Sequence, residues 1–166
     1  MIHLTTMESA IGPLTIAARG DRVCLLHFGP DGPAPRAMLQ RWYVSEPIER
    51  HPDPAGAVTA LRRYFAGAAT ALDDVQVEMN GTAFQRRVWE VLRSVKAGTT
   101  TSYAAIARAI GRPAAVRAVG AANGANPVAL IVPCHRIIGT NGSLTGYGGG
   151  LETKRWLLRH EGVLLV

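Results

Sequence analysis

Polar and apolar residues fall into short runs over the first thirty positions. Ile2–Thr6 and Leu14–Ala18 flank the turn signal Ile11-Gly12-Pro13, and Val23–Phe28 adds a third apolar run. Three strands are expected there. The stretch Gly29-Pro30-Asp31-Gly32-Pro33-Ala34-Pro35 reads as a loop. From Ala55 to Phe65 the period changes: Val58, Leu61, Tyr64 and Phe65 recur at three- and four-residue spacing, which predicts a helix. Thr82-Ala83-Phe84-Gln85 then has the form of a capping box. Phe84, Val88, Leu92 and Val95 mark one face of the helix it opens, which ends before Gly98.

A helix–turn–helix pattern follows. Ser102 caps a helix over Tyr103–Ile110, Gly111-Arg112-Pro113 makes the turn, and Ala114–Asn123 forms the second helix. That second helix is almost entirely small residues around one long side chain, Arg117. Such a surface suits close packing against a neighbouring helix, and equally entry into a DNA groove with Arg117 as the probe. Beyond Asn126-Pro127, an apolar strand is expected over Val128–Val132, leading into Pro133-Cys134-His135-Arg136. A glycine-rich segment, Gly142 to Gly150, precedes a last helix over Leu151–His160. The fold class is α+β: an antiparallel sheet with a helix in residues 1–76, and a mostly helical part in 80–166. No internal repeat is visible.

Composition narrows the class. With 166 residues, 48% of them hydrophobic, the chain is ordinary for one globular domain or two small ones. No apolar run approaches the roughly 18 residues of a membrane span, and the N-terminus lacks the basic-then-apolar layout of a signal peptide. Two cysteines are too few for a disulfide framework or a Cys-rich zinc site. A reducing, cytoplasmic setting and no metal are expected. The net charge of +6 is unevenly placed: residues 80–166 hold 11 cations against 3 acids, and residues 1–79 hold 7 against 9. Sixteen of the 18 cations are arginine, whose planar fork suits phosphates and base edges. A polyanion such as nucleic acid is the natural partner for the basic half.

The two cysteines divide by context. Cys24, inside an expected strand, reads as a buried structural residue. His3, His27 and His51 have no ligand-like spacing. Cys134 stands between a proline and a histidine at the end of an apolar run, and a neighbouring imidazole or arginine can lower a thiol pKa enough to populate the nucleophilic thiolate. A lone cysteine forms neither a Cys-x-x-Cys redox pair nor a metal site, so any chemistry it carries would be nucleophilic; a Cys-His dipeptide by itself is weak evidence for one.

The segment Asn126-Pro127-Val128-Ala129-Leu130-Ile131-Val132-Pro133-Cys134-His135-Arg136-Ile137-Ile138-Gly139 closely resembles the active-site signature of the O6-alkylguanine-DNA alkyltransferases. Thr82–Leu92, Ser102-Tyr103, Ala115–Asn123, Gly146–Gly150 and Trp156–Gly162 resemble the same family, so the likeness runs from about Asn80 to Gly162. The N-terminal half is similar to the family's ribonuclease-H-like domain only in length and in its strand–turn–strand start.

This resemblance implies a direct-reversal repair protein for double-stranded DNA that carries O6-alkylguanine. Cys134 is implied as the alkyl acceptor in a single, irreversible turnover, with no cofactor. His135 would take the thiol proton through a water, Glu161 would orient the imidazole, and Asn126 would hold the turn around the nucleophile. Tyr103 would donate to guanine N3, and the backbone N–H of Gly148, where many relatives have serine, would face O6. Carbonyls of Cys134 and Ile137 would read the guanine amino group, with Tyr147 lining the pocket. The base must leave the stack, and Arg117 would fill its place. Ala115, Ala118, Gly120, Ala121 and Asn123 would lie in the minor groove, with Arg136 and other arginines on phosphates. The protein is expected to act as a monomer, with cooperative packing on DNA left open. Cys24 alone in the N-terminal half argues against the structural zinc of some relatives. Rival readings are a non-catalytic lesion-binding relative, a helix–turn–helix regulator and a cysteine hydrolase. The first should lack the cysteine, and the second should carry polar base-reading residues on its second helix.

Overall fold

The computed structural model describes residues 1–165. The chain divides into two compact units, Met1–Asn80 and Gly81 onward, and the fold is α+β.

In the first unit, β1 (Ile2–Met7), β2 (Leu14–Arg19) and β3 (Arg22–Phe28) form an antiparallel meander. A short β4 (Ile48–Arg50) adds to the other edge, parallel to β1, giving the order β3-β2-β1-β4. Leu14 to Ala18 are all buried, so β2 lacks the alternation of a strand with one wet face. Between β3 and β4 lies α1 (Pro33–Trp42), which contributes Leu39 to a core of Ile2, Leu4, Ala17, Cys24 and Leu25. The expected loop ended at Pro35, but the helix begins at Pro33, because proline is tolerated in a first turn whose N–H groups have no partners anyway. A 3-10 turn at Pro54–Gly56 rests on the sheet and leads into α2 (Ala57–Phe65). Asp53 accepts from Val58 N at 2.7 Å at the start of that helix. Cys24 is fully buried, and burial pushes its thiol up to about 12. It is a core residue.

In the second unit, α3 (Ala83–Arg93) opens with the expected capping box: Thr82 Oγ1 accepts from Gln85 N at 3.1 Å and Gln85 Oε1 from Thr82 N at 2.9 Å. α4 (Tyr103–Ala109) and α5 (Val116–Gly124) form the helix–turn–helix, with α5 two residues later at its start than expected. The three helices pack on one another, and Trp89 Nε1 donates to Ala122 O at 2.8 Å, joining α3 to α5. Gly81 makes room for that indole, since a Cβ there would come within 2.5 Å of it. α6 (Leu151–His160) packs on the 3-10 turn Cys134–Arg136.

The strand expected over Val128–Val132 is absent. Leu130 adopts φ 69, a left-handed conformation that turns the chain back on itself. Val132 N bonds to Val128 O at 2.9 Å, so the run is a compact turn with its apolar side chains buried. Among the described residues, no helix is long and apolar enough to cross a membrane, and no group of three His, Cys, Asp or Glu side chains is placed to hold a metal ion.

Candidate active site

Two very short strands decide where the site forms. β5 (Thr101–Ser102) pairs in parallel with β6 (Ile137–Ile138), so the start of α4 lies beside the chain just after Cys134. Ser102 caps α4 by accepting from Ala105 N at 3.1 Å. Tyr103, the next residue, reaches Thr145 Oγ1 at 2.6 Å.

The turn before Cys134 is held by side chains. Asn126 Nδ2 donates to Val132 O at 2.8 Å, and Asn126 Oδ1 accepts from Val128 N at 3.0 Å. Arg93 of α3 donates to Ile131 O at 2.8 Å. These bonds hold the left-handed Leu130, a conformation that costs about 1–2 kcal/mol for a residue with a side chain. Cys134 N then bonds to Val132 O at 2.8 Å, which fixes the backbone of the cysteine itself.

Cys134 is only 6% exposed. Burial pushes its thiol up, and hydrogen bonds from Asn126 and Tyr147 together with the positive charge of Lys154 work against that shift. The net direction is upward, so the resting group is a neutral thiol that needs a base. Arg136 is committed elsewhere, which leaves the imidazole of His135 as the adjacent group able to act on the thiol.

His135 is completely buried, and burial holds its imidazole below the usual range despite the pull of Glu161. Its Nε2 lies 2.7 Å from Glu161 Oε2. An ionised carboxylate only accepts, so Nε2 carries the proton and Nδ1 is the basic atom. Nδ1 is buried with no hydrogen-bond partner in the protein. Burial alone would raise the Glu161 pKa, but the hydrogen bonds from His135 and Arg136 outweigh it and hold it at about 2. Arg136 donates to both carboxylate oxygens, Nε to Oε1 at 2.8 Å and Nη2 to Oε2 at 3.1 Å, and Nη1 donates to Val95 O at 2.6 Å. His135, Glu161 and Arg136 thus form a buried hydrogen-bonded series, which Cys134 immediately precedes in the chain.

This corrects the expected role of Arg136 as a phosphate ligand. Its guanidinium is consumed by a buried carboxylate and a carbonyl, and the residue is 4% exposed. Asn123 is corrected likewise: it lies on the inner face of α5 with Val119 and Ala122, its Oδ1 buried without a partner. The outer face presents Arg117, Ala118 and Ala121 to solvent, with Ala115 and Gly120 half-buried.

Ile137 is fully buried in β6, and the Tyr147 ring stands edge-on to His135 with centroids 6.5 Å apart. A Cβ at Gly148 would meet nothing within 4 Å, so space is open beside that backbone. One residue of the site escaped the sequence reading. Lys154 is fully buried on α6, its Nζ donating to Thr145 O at 3.2 Å and Oγ1 at 3.4 Å, and burial lowers its pKa to about 8. The available signal was its spacing: 154, 157 and 158 make the apolar stripe of α6, and a lysine on such a stripe is costly unless it has work.

Two family models cover nearly the whole chain. Residues 2–79 match the ribonuclease-like domain of 6-O-methylguanine DNA methyltransferase, and residues 83–163 match its DNA-binding domain. The chain belongs to this family. Among its relatives, the methylated-DNA–protein-cysteine methyltransferase of Mycobacterium tuberculosis H37Rv is 49% identical over 97% of this chain and 93% of its own. The protein of that name from Salmonella typhimurium is 53% identical over 78% and 77%. The crystal structure of Mycobacterium tuberculosis OGT in complex with DNA superposes with a TM-score of 0.82 at 46% identity, covering 96% of this chain and 92% of that one.

Proposed function

We propose that this chain repairs methylated DNA by moving the O6-methyl group of guanine onto its own Cys134, once per molecule. The proton on Sγ passes through a water to His135 Nδ1, and Glu161 steadies the imidazolium that results. The sulfur then attacks the methyl carbon, the S–C bond forms as the C–O6 bond breaks, and the electron pair stays on the purine. Tyr103 supplies a proton to ring N3, and the Gly148 N–H faces O6, as a backbone donor does at other developing oxyanions. Carbonyls of Cys134 and Ile137 accept from the exocyclic amino group, which selects guanine. The thioether that forms does not hydrolyse, so the reaction stops there.

DNA is held from the minor groove by the outer face of α5. Small side chains at Ala118 and Ala121 let the helix approach, and Arg117 occupies the place of the extruded nucleotide. That groove carries a degenerate code, which suits a protein that searches for damage rather than sequence. The protein acts as a monomer in this reading.

The observation that supports this most directly is the unpartnered Nδ1 of a buried histidine, its Nε2 fixed by Glu161, next to a buried thiol. Incubation with a duplex carrying O6-methylguanine should add the mass of one methyl group to each molecule, on the Cys134 peptide, and then stop. Cys134→Ala should lose transfer and keep DNA binding. Continued turnover with excess substrate, or methylation of another residue, would overturn the proposal.

A further inference from the structure

Thr145 lies in the glycine-rich segment and touches two polar groups of the site. Its Oγ1 is 2.6 Å from the Tyr103 hydroxyl, and Lys154 Nζ donates to its carbonyl at 3.2 Å and to Oγ1 at 3.4 Å. The carbonyl anchors the ammonium, and Oγ1 is a branch from it.

The donor inventory fixes one end of this chain. An ammonium only donates, so Thr145 Oγ1 receives Lys154 in a lone pair. That leaves one lone pair and the O–H, so the 2.6 Å contact with Tyr103 allows either direction, and we take the one in which Thr145 donates. A phenol oxygen that already accepts from Thr145 keeps its own proton for a different acceptor. We propose that Thr145 is a positioning residue for alkyl transfer: by linking Lys154 to Tyr103, it turns the Tyr103 hydroxyl into a donor aimed at the departing base. The inference rests on the reading of Tyr103 as the donor to guanine N3.

The proton inventory balances. Cys134 gives its proton to His135, sulfur bonds to the methyl carbon, and the C–O6 electron pair remains on guanine. Tyr103 gives its proton to N3, Thr145 passes its own to the phenolate oxygen, and Lys154 replaces the proton on Thr145. Guanine ends with one proton from Lys154, His135 holds the one from Cys134, and the total charge is unchanged. Threonine at this position supplies both oxygens, and valine of the same shape keeps only the carbonyl.

Single-turnover transfer by Thr145→Val and Thr145→Ser, measured with free O6-benzylguanine and with its 3-deaza counterpart, tests the relay. Thr145→Val should be about tenfold slower than wild type on the ordinary base, and Thr145→Ser, which restores the hydroxyl, within about twofold. On the 3-deaza base, where Tyr103 has no ring nitrogen to protonate, Thr145→Val should match wild type. A Thr145→Val variant as fast as wild type on the ordinary base, or slowed equally on both bases, would overturn the inference while leaving transfer to Cys134 in place. Failure of the wild type itself to label Cys134 would instead overturn the functional reading on which the relay depends.

Discussion

Glu161 joins the two charged or chargeable partners of the buried site, accepting from His135 and from Arg136 through both of its oxygens. Its pKa of about 2 lies well below the ordinary carboxylate value near 4.3, so the folded state binds its proton less readily than the unfolded one. The sign follows from linkage. The contribution of Glu161 to stability is complete above about pH 4.3 and is lost as pH falls toward 2. Glu161→Gln should therefore cost about 3–5 kcal/mol at neutral pH, since it leaves the Arg136 guanidinium buried without its counter-charge. The gap between wild type and variant in urea unfolding should narrow steadily below about pH 4. A gap of constant size across that range would show that the pair is not ionic. The same residues illustrate what a sequence shows and hides at this scale. Cys134 and His135 adjoin in the chain and were legible as a pair. The commitment of Arg136 to Glu161, twenty-five residues away, depends on α6 folding against the 3-10 turn, and no local pattern announces that. Its position beside the nucleophile in a basic segment pointed instead to DNA.

At the level of elements, α5 has two faces with different duties. Val119, Ala122 and Asn123 face inward, where Ala122 O receives the Trp89 indole, and Arg117, Ala118 and Ala121 face out. The packing reading of its small residues holds on the inner side, and the outer side is free to meet DNA. Arg117→Ala removes no buried contact and should leave thermal stability unchanged. Transfer from a methylated duplex should fall by about tenfold to a hundredfold, because the cost of extruding a base is no longer offset. Reaction with free O6-benzylguanine should stay near wild type. Equal losses with duplex and free base would remove the role assigned to the side chain. Helices with capping signals and clear spacing, such as α3 and α4, were legible in the sequence. Two other segments were not. The whole of α1 was unexpected, its first turn masked by prolines that such a turn tolerates, and Val128–Val132 has the composition of a strand although Leu130 reverses it. A leucine with positive φ is imposed by tertiary bonds from Asn126 and Arg93, which local propensity does not register.

For the molecule as a whole, the basic excess lies in the unit that carries the helix–turn–helix and Cys134, and the first unit is slightly acidic. Long-range attraction to a polyanion thus favours presentation of the reactive unit. The site it presents is closed: Cys134 is 6% exposed, and its neighbours His135 and Ile137 are fully buried. A methyl group added to Sγ enters a packed interior, and overpacking by one such group costs about 1–3 kcal/mol where neighbours cannot yield. For a chain of 166 residues each kcal/mol corresponds to about 2–4 °C in midpoint. The protein should therefore melt about 2–12 °C lower after stoichiometric methylation than before it. Calorimetry of the same preparation before and after reaction with methylated duplex, with the DNA removed, measures this. Chemical alkylation of Cys134→Ala is the control for damage elsewhere and should leave its midpoint unmoved. An unchanged midpoint in the methylated wild type would mean that the open space beside Gly148 extends to Sγ, so that the added carbon displaces nothing.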